Sequence, residues 1–143
     1  MKSARRRARE FALQGLYQWL LVGTSVSEIV YQFRDEKEFA KGDQTYFNAL
    51  LDGVVTHNKE LEKKLTPHLD RPFKEISPIE RGILLLASYE LTHQPNVPFK
   101  VVINEAVELA KLFGGTDGHK FVNGVLDKLV LDLGLRTANS PKH

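Results

Sequence analysis

Lys2, Arg5, Arg6, Arg7 and Arg9 place five of the chain's 20 basic residues within its first nine positions, with no acid among them. Cationic groups crowded in this way attract polyanions, and a nucleic-acid phosphate backbone offers the densest negative charge. The remaining residues carry 15 basic and 18 acidic groups, a balance of −3, so the charge marks one end of the molecule and not its whole surface. Bond-making chemistry has little to work with. The chain contains no cysteine, which removes thiol nucleophiles, disulfides, iron–sulfur clusters and thiolate zinc sites together. His57, His68, His93, His119 and His143 show no metal-type spacing, and none stands beside a recognisable nucleophile. The expectation is therefore no metal, no cofactor and no catalytic residue. The run Gly114-Gly115-Thr116-Asp117-Gly118 lacks the preceding strand and the Gly-Lys-Ser/Thr ending of a phosphate-binding loop, and is read as a helix stop followed by a helix start.

The elements that must carry the basic residues are helical. Ala8, Phe11, Ala12, Gly15, Leu16 and Trp19 follow helical spacing, predicting a first helix over Ala4 to Val22. A short amphipathic segment follows at Val26 to Phe33, then a charged stretch, Arg34 to Asp43, expected as loop. A long helix is predicted from Gln44 to Leu69, with Gly53 and Pro67 as weak points. Ser77-Pro78-Ile79-Glu80 starts the next, because Ser caps and Pro sits where its missing N–H costs nothing. Apolar residues surround that helix, so it is expected to be central. Val102, Ile103, Ala106, Val107, Ala110 and Phe113 describe another, stopped by Gly114-Gly115. Thr116 or Asp117 then caps a last helix with Val122, Val125, Leu126, Leu129 and Leu133 as its stripe. The class is all-α, a compact bundle over residues 1–133, with a disordered tail over 134–143. The longest apolar runs, such as Ile83 to Ala87, fall far short of the roughly 18 to 20 residues that cross a bilayer. The N-terminus lacks the apolar segment of an export signal, so a cytoplasmic location without membrane contact is expected.

On a helical wheel Arg6, Arg7, Glu10, Gln14, Tyr17 and Gln18 fall opposite Ala8, Ala12 and Trp19. Guanidinium groups, amides that hydrogen-bond base edges and a stacking ring together suit single-stranded nucleic acid. A solvated face with a basic end is the competing reading. On the last helix Phe121 stands beside the apolar stripe with Asp117, Gly124 and Lys128, and Lys120 is near. It is either a stacking platform between lysines or a boundary residue packed under a neighbour. Asn104 and Asn123 are either functional hydrogen-bonding groups or amides that tie helices together.

Three segments together resemble the NusB family of bacterial transcription antitermination factors. They are Arg5 to Gln18; Ile79 to Leu84 with Ala87 to Leu91; and Val97 to Lys111, continuing through Phe113-Gly114 and His119 to Asp127. The resemblance covers roughly Lys2 to Leu133, in order. It implies two small helical bundles of about six to eight helices, no catalysis, and binding of single-stranded boxA-type RNA in ribosomal RNA transcripts. The binding would be shared with NusE, a small-subunit ribosomal protein, in a complex with other Nus factors and RNA polymerase. The implied RNA-binding positions are Arg6, Arg7, Arg9, Gln14, Tyr17, Gln18, Asp117, Lys120, Phe121 and Asn123, to which the basic run adds Lys2 and Arg5. Glu75, Glu80, Phe99 and Lys100 are the implied protein-partner positions. Leu85 departs from the pattern, since relatives commonly carry Arg there.

The leading reading is an RNA-binding antitermination factor. A helical domain that assists an RNA-modifying enzyme and a purely structural adaptor are the alternatives; monomer and homodimer both stay open.

Overall fold

A computed structural model describes residues 2–136. They form seven α-helices: α1 (Ala4–Val22), α2 (Val26–Phe33), α3 (Lys37–Ala40), α4 (Gln44–Leu65), α5 (Pro78–His93), α6 (Phe99–Phe113) and α7 (Gly118–Asp132). Single 3-10 turns at Thr66–His68 and Phe73–Glu75 join α4 to α5, and the described residues include no strand. The helices begin where local chemistry favours it. Ser3 Oγ accepts from the Arg6 N–H at 3.0 Å and Ser77 Oγ from the Glu80 N–H at 3.3 Å, each satisfying an orphan donor of the first turn. Gly23 ends α1 in the left-handed conformation, at φ 71°, with its N–H on Trp19 O.

The first bundle, α1 to α4, closes around four phenylalanines. Phe11 lies 5.0 Å from Phe33 and 5.2 Å from Phe39, and Phe39 lies 4.9 Å from Phe47, mostly edge to face. The second bundle is α5, α6 and α7, with α6 packed on both of the others. Helix α5 is buried without a break from Gly82 to Leu91, as its apolar circumference predicts. It also packs on α1 and α4, so the two bundles share one core. Leu85 belongs to that core at 1% exposure, an apolar packing residue in this chain.

Three expectations are corrected. The stretch Arg34 to Asp43 is not all loop, because α3 turns Phe39 into the aromatic cluster; one apolar residue among charges carries no periodicity to read. The long helix ends at Leu65 and not Leu69, since Pro67 has no N–H to donate; the chain tightens into the 3-10 turn Thr66–His68 and is extended at Leu69. The expected disordered tail starts with three placed residues. Arg136 is 5% exposed, donates to Asp127 at 3.1 Å and stands 4.9 Å over the Phe99 ring. Residues 137–143 lie outside the described residues.

Candidate nucleic-acid interface

Helix α1 is buried on every side from Ala8 to Leu13, which overturns the simple two-faced wheel. Arg9 shows why. Its guanidinium donates to both oxygens of Glu90, at 2.9 and 2.8 Å, with Arg9 4% and Glu90 2% exposed. The Tyr46 hydroxyl donates to the same carboxylate, and Glu105 lies 3.4 Å from Arg9 Nη1. Burial first, and then the charge of Glu90, push the Tyr46 phenol up, so it stays a protonated donor. This network ties α1, α4, α5 and α6 together. Arg9 is thus withdrawn from the expected RNA-binding set, and Glu10, 8% exposed, from the expected polar face.

The other basic residues of the run stay at the surface, each against an acid. Lys2 Nζ is 2.8 Å from Glu10, Arg6 makes two hydrogen bonds to Glu105, and Arg7 Nε is 3.3 Å from Glu38. Arg5 is exposed, 3.8 Å from Asp43, with its guanidinium 4.1 Å over the Tyr46 ring. The hydrogen bond from Arg6 holds the Glu105 carboxyl below the usual carboxylate range. The α1–α6 groove lined by Lys2, Arg6, Glu10, Glu105, Glu108 and Lys111 therefore alternates charge, and has a volume of about 300 Å³.

Toward its C-terminal end α1 opens to solvent. Gln14 and Tyr17 are exposed, and Gln18 donates to Gln32 at 2.8 Å. Helix α1 runs antiparallel to α5, because Arg9 meets Glu90 while Leu13 meets Gly82. A Cβ on Gly82 would stand 2.8 Å from Leu13 Cδ1, and one on Gly118 would stand 2.8 Å from Glu80 Oε2. These close approaches seat α1 against Gly82 and the start of α7 against Glu80; two residues apart on α5, they lie on roughly opposite sides of that helix. The Glu80 carboxylate also faces the positive N-terminal end of α7.

Phe121 sits at the edge of the core. It is half-buried against the core, yet the Arg71 guanidinium stands 5.2 Å from its ring. His68, Asp70, Lys120, Gly124 and Lys128 share a hollow with it. Sequence reasoning did not place Arg71 beside Phe121: it lies in a connection distant in sequence from α7, and no local pattern marks it. Asp117 caps differently from expectation. Its φ of 65° turns the side chain away from the α7 amides, and it pairs with the exposed Lys120 at 3.3 Å. Asn123 is half-buried.

The expected partner positions do not converge. Glu75 ends the 3-10 turn before α5 and Glu80 lies on the first turn of α5 against Gly118 of α7, whereas Phe99 and Lys100 open α6 just beyond the other end of α5. The helix between is about 22 Å long at 1.5 Å per residue. Phe99 is covered by Arg136, and Lys100 is exposed.

The sequence model of the NusB family matches residues 6–131, nearly the whole described chain. The chain belongs to the NusB family. The transcription antitermination protein NusB of Nitrosospira multiformis is 60% identical over 125 residues, covering 87% of this chain and 79% of that protein. NusB of Bordetella pertussis is 56% identical over 141 residues, covering 96% and 90%. The same fold occurs in a crystal structure of antitermination factors NusB and NusE in complex with dsRNA. There the TM-score is 0.79 at 30% identity, with 90% of this chain and 97% of the other covered. The all-helical, two-bundle architecture expected from the NusB resemblance is the architecture observed.

Proposed function

We propose that this chain is a non-catalytic transcription antitermination factor that binds boxA-type single-stranded RNA of ribosomal RNA transcripts jointly with the ribosomal protein NusE. One observation carries the reading. At the start of α7 the half-buried Phe121 ring has Arg71 over it and shares a hollow with Lys120 and Lys128, while Gln14 and Tyr17 stand exposed on α1. Rings and amides engage unpaired bases, while the cations follow phosphates and release counterions. Membership of a family whose relatives are named antitermination proteins, and a solved NusB–NusE complex with RNA, support the same reading.

The basic run at the start of α1 supplies a second phosphate contact, about 17 Å along α1 from Tyr17. Arg5, Arg6, Arg7 and Lys2 serve there by exchanging an internal carboxylate for a phosphate. Asp117 and Asn123 flank Phe121 and complete the α7 side. Glu75 and Glu80, at the entry to α5, form one candidate contact with NusE; Phe99 and Lys100 form a separate one. Two modest interfaces then reinforce one another by effective concentration. Other Nus factors and RNA polymerase complete the assembly in the cytoplasm, with residues 1–133 acting as one RNA-binding domain. No helix among the described residues is long and apolar enough to cross a membrane.

A titration tests this directly, using a boxA-like single strand, a scrambled strand and a duplex, at two salt concentrations, with and without NusE. The expected result is preference for the boxA-like strand, tighter binding with NusE, and affinity that falls as salt rises. Equal binding to all three RNAs, or no effect of NusE, would overturn it.

A further inference from the structure

Two histidines far apart in sequence meet where α4 passes the last turn of α5. Gly53 permits the approach: a Cβ there would lie 2.2 Å from Tyr89 Cε1, so only a residue without a side chain lets the Tyr89 ring rest against α4. His57 follows Gly53 by one helical turn and His93 follows Tyr89 by one, so both histidines extend the same contact. The Tyr89 and His93 rings stack at 5.0 Å, and those of His93 and His57 at 4.4 Å. Glu60, one turn beyond His57, reaches both, with 3.4 Å from Oε2 to His57 Nδ1 and 3.7 Å from Oε1 to His93 Nε2. The potential donor atoms of the three residues all lie within 4.8 Å of one another. His93 Nε2 is itself buried without a hydrogen-bond partner.

We propose that His57, Glu60 and His93 form a binding site for a borderline divalent transition ion, with zinc the best fit. Zinc bonds to imidazole and carboxylate are about 2.0 to 2.2 Å long, which in a tetrahedral site sets neighbouring donors roughly 3.3 to 3.6 Å apart. The two pairs involving Glu60 are already near that separation. An imidazole binds a metal in the plane of its ring, so the stacked rings must turn about χ2 as the ion enters. Their side chains are 37% and 29% exposed, which leaves room to turn. Two imidazoles and one carboxylate favour zinc over magnesium or calcium, which prefer all-oxygen shells. The carboxylate offsets part of the ion's charge, and the fourth position falls to water on the exposed side of Glu60. Binding clamps α4 to α5 and favours the folded state by mass action. The site lies about 20 Å along α5 from Glu80, so it is independent of the RNA reading.

Calorimetric titration of the tag-free full chain with zinc chloride, and with magnesium chloride for comparison, tests the proposal. One equivalent of zinc is expected, with a raised Tm, and no uptake of magnesium. His57→Asn, Glu60→Gln and His93→Gln should each weaken zinc binding by more than about tenfold, the scale at which even supporting residues of metal sites matter. Imidazole 15N shifts in the unaltered protein provide a readout independent of the variants, and those of His57 and His93 should move on zinc addition. Absence of saturable binding would overturn the proposal. So would an isotherm unchanged in the three variants, or 15N shifts confined to other histidines.

Discussion

Arg6 holds Glu105 through two parallel hydrogen bonds, Nε to Oε1 at 3.1 Å and Nη2 to Oε2 at 2.6 Å, bridging the first turns of α1 to the middle of α6. The guanidinium that the basic run offers to a phosphate is thus already occupied by a carboxylate of its own chain. On the proposed RNA reading, binding at this end would exchange one partner for another.

Removing the internal competitor should therefore help RNA. Glu105→Gln is expected to tighten binding by up to about fivefold, since half-exposed ion pairs hold about 1 kcal/mol or less. Fluorescence anisotropy with labelled RNA measures this. Unchanged or weaker binding would show that Arg6 does not transfer to phosphate.

The same carboxylate makes stability depend on pH. Glu105 titrates below its ordinary value of 4.5 in the folded protein, so its contribution is complete above that value and is lost as pH falls through the lower folded pKa. Urea midpoints of the unaltered protein and Glu105→Gln should differ at pH 7 and converge in acid. A gap that stays constant with pH would remove Glu105 from the account.

Arg9 and Arg6 should separate cleanly. Arg9→Ala leaves Glu90 charged and buried, so a loss of about 3 to 5 kcal/mol of folding stability is expected. Arg6→Ala should cost little stability, weaken RNA binding, and flatten the salt dependence by about 0.7 for a single strand. Denaturant titration and binding at two salt concentrations distinguish them. A stable Arg9→Ala variant with weakened RNA binding would reverse the assignment.

Phe121 has a packed side and an open side, so two substitutions are informative. Phe121→Leu keeps most of the apolar contact and loses the stacking ring; it should weaken RNA binding by about 1 to 3 kcal/mol. Phe121→Ala should lose the same binding and some stability besides. A Phe121→Leu variant that binds normally would mean the ring serves only the core.

Much of the helical framework was readable from the chain alone, because helix ends and stripes rest on local chemistry. Ser77 and Pro78 mark a boundary that the structure keeps, the expected ends of the first helix at Ala4 and Val22 are the observed ones, and the apolar circumference of α5 announced its central position. The segments resembling the NusB family likewise pointed to a fold of two small bundles. Local rules reached less far at Phe39, where one buried ring makes a helical turn out of a charged stretch.

What only the tertiary structure decided is which polar groups meet. Arg9 and Arg6 are three residues apart and chemically alike, yet one is sealed against Glu90 and the other stays half-open at Glu105. Arg71 comes to Phe121, and His57 to His93, from separate elements. Charge and hydrogen-bonding capacity belong to a residue, but burial belongs to the packing of every helix around it. Whether a cation forms part of the interior or faces a ligand is therefore set by partners distant in sequence.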